Sequence, residues 1–173
     1  MTDRQAILRG ASESDLVALA ARLATRAARG GVIFLEGELG AGKTTFARAL
    51  LRALGSTERI KSPTYSLIES YRLGQLNAHH LDLYRIARAE EIEWLGLAEL
   101  IEPGVLLLVE WPERGAGSLP PPDLTLRLLV AGPARDLFVQ AHGPRGNECL
   151  GALLGLDPIH AAQQVAMDFC PPG

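Results

Sequence analysis

Residues 37–44 read Gly-Glu-Leu-Gly-Ala-Gly-Lys-Thr, a G-x-x-x-x-G-K-T spacing. Glycines at those positions let successive backbone N–H groups curl around phosphate oxygens, an approach that a Cβ obstructs. A lysine directly after them neutralises the β- and γ-oxygens, and the next hydroxyl suits Mg²⁺. Lys43 is one of only two lysines in the chain; the other is Lys61, and the remaining fifteen basic residues are arginines. A lysine here therefore runs against the composition. The chemistry indicated is binding of a nucleoside triphosphate, with Gly37, Glu38, Leu39, Gly40, Ala41, Gly42, Lys43, Thr44 and Thr45 as its candidate contacts.

Such a loop must be held between a strand and a helix. Val32-Ile33-Phe34-Leu35, introduced by the turn pair Gly30-Gly31, reads as a buried strand. Phe46, Ala47, Leu50, Leu51 and Leu54 are spaced for a helix over 43–54, with Gly55 at its C-terminal cap. Upstream, 5–9 is a short strand candidate, and a helix over 13–29, capped by Ser12 or Ser14, presents Leu16, Leu19, Ala20, Leu23 and Ala27 to a sheet. Downstream, Pro63 sets a turn or an extended entry, and the residues after it to Tyr71, with 78–83, are expected to form an antiparallel hairpin turned at Gly74 and Asn77. Short helices are expected at 90–95 and 97–101, and Val105 to Val109 as a central strand covered on both faces. A last strand pair, 124–130 and 137–141, surrounds Gly132-Pro133. These elements predict an α/β fold of three layers, with a mainly parallel central sheet and antiparallel strands at one side. The domain is expected to span 1–142, with 143–173 an appended tail, helical around 147–154 and 159–168.

A phosphate-binding loop needs a carboxylate at the end of a neighbouring apolar strand. Glu110 follows Val105–Val109 directly and projects from the carboxyl end of that strand, where ligands bind in such sheets. Asp82 lies in His80-Leu81-Asp82-Leu83-Tyr84-Arg85, where alternation puts His80, Asp82 and Tyr84 on one face. Read locally, Asp82 is more often a solvated strand residue than a metal ligand. Thr64, after Pro63, is a candidate switch residue sensing the γ-phosphate.

At 173 residues and 47% hydrophobic, the chain has material for one domain with a proper core. A net charge of -3 and a pI near 5.8 argue against a primary nucleic-acid binder. Cys149 and Cys170 lack metal-site spacing, and no apolar run has membrane length. The expected setting is the cytoplasm, with no membrane partner.

Four segments, GELGAGKTT at 37–45, SPTYSLIESY at 62–71, HLDLYR at 80–85 and LLLVEWPE at 106–113, together resemble the TsaE (YjeE) family. These are small P-loop ATPases of bacterial tRNA threonylcarbamoyladenosine biosynthesis. The resemblance runs from about residue 7 to residue 130, in the family's order. It implies Lys43 on the phosphates of ATP, Thr44 on Mg²⁺, and Thr64 in a switch segment. It also implies Asp82 as a carboxylate needed for hydrolysis, Glu110 as a Walker-B-like acid, and Trp111 as its neighbour at the nucleotide. Which of Asp82 and Glu110 coordinates Mg²⁺ stays open. Glu38 stands where the family more often has Asp, a small departure because the loop works through its backbone. The implied role is a weak ATPase that acts on the TsaB–TsaD complex, meets tRNA only through that complex, and permits its multiple turnovers. Among rivals, a GTPase would need N-K-x-D, but neither Asn77 nor Asn147 precedes a lysine. A kinase would need an arginine-bearing lid, for which 114–122 is short and proline-rich. A nucleotide-sensing module would have no need of both carboxylates.

Overall fold

The computed structural model describes residues 3–156 and the pair 168–169. Its strands are β1 (Arg4–Ala11), β2 (Gly31–Glu36), β3 (Ile68–Leu73), β4 (Leu76–Asp82), β5 (Leu106–Glu110), β6 (Leu124–Ala131), β7 (Ala134–Ala141) and β8 (Asp168–Phe169). The helices are α1 (Glu13–Ala27), α2 (Lys43–Ala53), the single turn α3 (Leu97–Leu100) and α4 (Gly143–Leu154), with 3₁₀ turns at Ala89–Leu95 and Pro112–Gly115. The strands form one sheet in the order β3-β4-β5-β2-β6-β7-β1-β8. Its middle is parallel: β4 on β5, β5 on β2, and β2 on β6.

The mainly parallel sheet is as the sequence led us to expect, but its antiparallel strands lie on both sides. Hairpin β3–β4 adds an antiparallel edge to one flank, and β7 pairs antiparallel with both β6 and β1 on the other. Each hairpin turn contains a glycine in the left-handed region, Gly74 (φ 65°) and Gly132 (φ 60°). Asn77, expected in the first turn, is instead a strand residue opposite Arg72. The first hairpin strand also starts late, at Ile68, because Pro63 opens a turn closed by the Leu67 N–H on the Pro63 carbonyl (2.8 Å).

Two apolar layers flank the sheet. Leu106 and Leu108 join Ile33 and Leu35 of β2 and Leu124, Leu126 and Leu128 of β6 under the buried faces of α1, α2 and α4. Leu107 and Val109 face the other way, with Leu81, Leu83, Ile86, Ile92 and Leu97, so the 83–100 segment roofs that face. Every residue of β5 is buried, which explains its uninterrupted apolar run.

The boundary expected after residue 142 coincides with the start of a helix but not with a break in packing. Helix α4 begins at Gly143, four residues earlier than the sequence suggested, and places Cys149, Leu150 and Leu153 in the main core beside α1. The compact unit therefore continues past 142. The second expected tail helix, around 159–168, lies outside the described residues except at its last position, where Asp168 pairs with Ile7.

Candidate nucleotide site

The loop between β2 and α2 is built on glycines that no other residue would replace cheaply. Gly37 has φ 136°, and a Cβ there would collide with the Leu128 carbonyl of β6. Gly42, φ 107°, is the N-terminal cap of α2, whose first turn points its N–H groups into the loop. Four of the loop carbonyls are held by side chains. Lys43 Nζ donates to Gly37 O (2.6 Å) and Glu38 O (2.8 Å). From β7, Arg135 Nε donates to Ala41 O (2.9 Å) and its Nη2 to Gly40 O (3.3 Å).

Strand register brings the carboxylates to this loop. Asp82 and Glu110 are direct neighbours across the parallel β4–β5 pair, each the last residue of its strand. Both side chains are buried, at 5% and 2% exposure, so neither is the solvated surface residue its local sequence allows. Thr44 Oγ1 donates to Glu110 Oε2 (2.9 Å). The other oxygen, Oε1, accepts from Nε2 of the fully buried His80 (2.8 Å). Thr64 Oγ1 donates to Asp82 Oδ2 (3.2 Å) and lies 2.7 Å from Ser62 Oγ, while the Tyr84 N–H donates to Asp82 Oδ1 (3.1 Å).

Burial holds the Lys43 ammonium below the ordinary lysine range, and the negative charges of Glu110 and Asp82 partly offset that. Its Nζ also stands 4.0 Å above the centre of the Trp111 ring. Trp111 is one of two non-glycine residues with positive φ among those described (58°), and its ring tilts against Tyr84 at 5.0 Å. Beside it an open groove of ≈ 630 Å³ runs past Gly37, Glu38, Leu39, Tyr84 and Arg114.

The family model for threonylcarbamoyl adenosine biosynthesis protein TsaE matches residues 10–136. The chain belongs to the TsaE family. A Haemophilus influenzae protein named tRNA threonylcarbamoyladenosine biosynthesis protein TsaE is 36% identical over 121 residues, covering 70% of this chain and 77% of that one. A Bacillus subtilis protein of the same name is 37% identical over 138 residues, covering 79% and 86%. The crystal structure of Bacillus subtilis YdiB superposes with a TM-score of 0.74 at 32% identity, over 90% of this chain and 97% of that one. The fold is thus that of a P-loop protein, and the family is one of tRNA threonylcarbamoyladenosine biosynthesis.

Within this TsaE-family chain, Lys43, Thr44, Thr64, Asp82, Glu110 and Trp111 converge on one end of the sheet. Two of the candidate loop residues point elsewhere. The Leu39 side chain is 75% exposed, and Thr45 lines a separate groove of ≈ 480 Å³ between α1 and α2, with Glu13, Val17 and Arg48. Any role of these two toward phosphate belongs to their backbone. Sequence reasoning missed His80 and Arg135. His80 was visible inside HLDLYR, two residues before Asp82, but nothing local distinguished it from a core histidine. Arg135 lies 94 residues from Ala41 and carries no motif.

Among the described residues, no three His, Cys, Asp or Glu side chains cluster to hold a metal by themselves. The oxygen donors present, one hydroxyl and two buried carboxylates, fit Mg²⁺, which takes few protein ligands and completes its shell with phosphate and water. No described helix is long and apolar enough to cross a membrane.

Proposed function

We propose that this chain is a Mg²⁺-dependent ATPase of threonylcarbamoyladenosine biosynthesis, slow alone, acting in the cytoplasm on a TsaB–TsaD complex and meeting tRNA through it. The observation that carries this reading is the Thr44–Glu110 hydrogen bond beside buried Asp82. A loop that only bound phosphate would not need two carboxylates buried at the ends of adjacent strands, which is costly without a counter-charge.

The loop amides and the α2 N-terminus receive the β- and γ-phosphates, and Lys43 exchanges its two carbonyl partners for phosphate oxygens. Thr44 donates its hydrogen to Glu110, which leaves its oxygen lone pairs available and would let it hold the metal. Thr44 and either Glu110 or Asp82 would hold Mg²⁺, which would supply neutralisation of the charge that develops on the phosphates. Asp82, anchored by Thr64 and the Tyr84 amide, holds a carboxylate where an attacking water can be oriented. Because Thr64 belongs to the 62–67 turn, a contact between it and the γ-phosphate would tie that segment to the nucleotide state, a means of signalling to a partner.

The test is ATP and GTP hydrolysis by the purified protein, with and without TsaB–TsaD and tRNA. Slow ATP turnover accelerated by the complex supports the proposal. Turnover indifferent to those partners sinks the auxiliary role while leaving the nucleotide site standing.

A further inference from the structure

A buried carboxylate has freedom about its last torsion, and the plane it adopts decides which oxygen faces a ligand. Glu110 has both oxygens occupied, Oε2 by Thr44 Oγ1 at 2.9 Å and Oε1 by His80 Nε2 at 2.8 Å. The two donors come from different elements, one from the first turn of α2 and the other from within β4. His80 is wholly enclosed, and its neighbours in register are Leu108 and Glu69. Its second nitrogen, Nδ1, is buried with no hydrogen-bond partner. A carboxylate only accepts, so Nε2 carries the hydrogen, and the ring's single polar contact is Glu110. Leaving a buried ring nitrogen unpaired costs free energy, and a purely structural position would be filled more cheaply by leucine.

We infer that His80 is a positioning residue: it locks the Glu110 carboxylate so that Oε2 stays aligned with the Thr44 hydroxyl and the divalent cation that hydroxyl serves. This rests on the ATPase reading above. It assigns His80 no contact with nucleotide and no part in proton transfer. Its effect is confined to the metal-linked portion of nucleotide affinity. Groups that orient metal ligands commonly change metal affinity or activity by about 10–100-fold when removed.

The experiment is equilibrium binding of ADP to the full-length protein, in EDTA and in excess Mg²⁺, for wild type, His80→Leu, His80→Asn and His80→Gln. The ratio of the two affinities is the metal-linked gain, measured without turnover. His80→Leu keeps the bulk but loses the donor, and is expected to lose about 10–100-fold of that gain with its EDTA affinity within about two-fold of wild type. His80→Gln, whose amide nitrogen can reach the Nε2 position, should recover most of the gain. His80→Asn is polar but too short, should behave as the leucine variant, and serves in its place if leucine prevents folding. An unaltered gain in both donor-less variants overturns the assignment to His80 alone. A wild-type protein with no metal-linked gain overturns the ATPase reading itself, and His80's role with it.

Discussion

At the level of single residues, the site is an arrangement of buried charges that make sense only together. Lys43 lies within a few ångströms of loop carbonyls and an indole, and its charge is stabilised by Glu110 and Asp82. Lys43→Ala should weaken ATP binding by about 100-fold, near 2–3 kcal/mol, because phosphate then enters a buried site without its counter-charge. Isothermal titration checks this, and unchanged affinity would remove the glycine loop from the nucleotide site. Asp82→Ala should behave differently. Its oxygens are held by Thr64 and the Tyr84 amide rather than by the loop, so nucleotide affinity should stay within about three-fold while hydrolysis falls by about 10²-fold or more. A single-turnover assay beside the titration separates the two effects, and full activity in that variant would leave Asp82 a structural residue.

At the level of elements, β4 carries a pH dependence of stability. His79 pairs through Nδ1 with Ser70 Oγ (2.8 Å), and burial pushes its pKa below the ordinary 6.5. The unfolded chain therefore takes up a proton at this histidine before the folded one does. Its contribution to stability is intact above pH 6.5 and is lost as pH falls from 6.5 through the lower folded value. Urea midpoints at pH 7.5 and 5.5 should differ more for wild type than for His79→Gln; equal differences would mean that His79 is not responsible. The same strand marks where sequence reading stops. Period and composition revealed β2, β5 and the glycine loop, because parallel strands buried on both faces leave unbroken apolar runs. They also revealed the carboxylates, through Glu110 at the end of such a run. They did not reveal that β4 is an interior strand, because two histidines, an asparagine and an aspartate interrupt its apolar pattern. The two histidines survive burial through Ser70 of β3 and Glu110 of β5, and Asp82 through Thr64 and the Tyr84 amide, partners that only the three-dimensional arrangement supplies.

At the level of the whole molecule, α4 closes the core where the sequence suggested an appendage. Its Gly- and Pro-rich start at Gly143-Pro144 resembles a linker, yet Pro at the first turn suits a helix, and Leu153 behind it is fully buried. Leu153→Ala should cost about 2–5 kcal/mol in urea unfolding. A loss below about 0.5 kcal/mol would restore the appendage view. Arg135 extends the same lesson to binding. Although the motif occupies eight consecutive residues, two of its carbonyls are braced by a guanidinium from β7, which follows it by some ninety residues. A nascent chain released only as far as β6 would carry the complete signature and still lack this brace. The loop therefore acquires its Arg135 contacts late, only once the β6–β7 hairpin has closed.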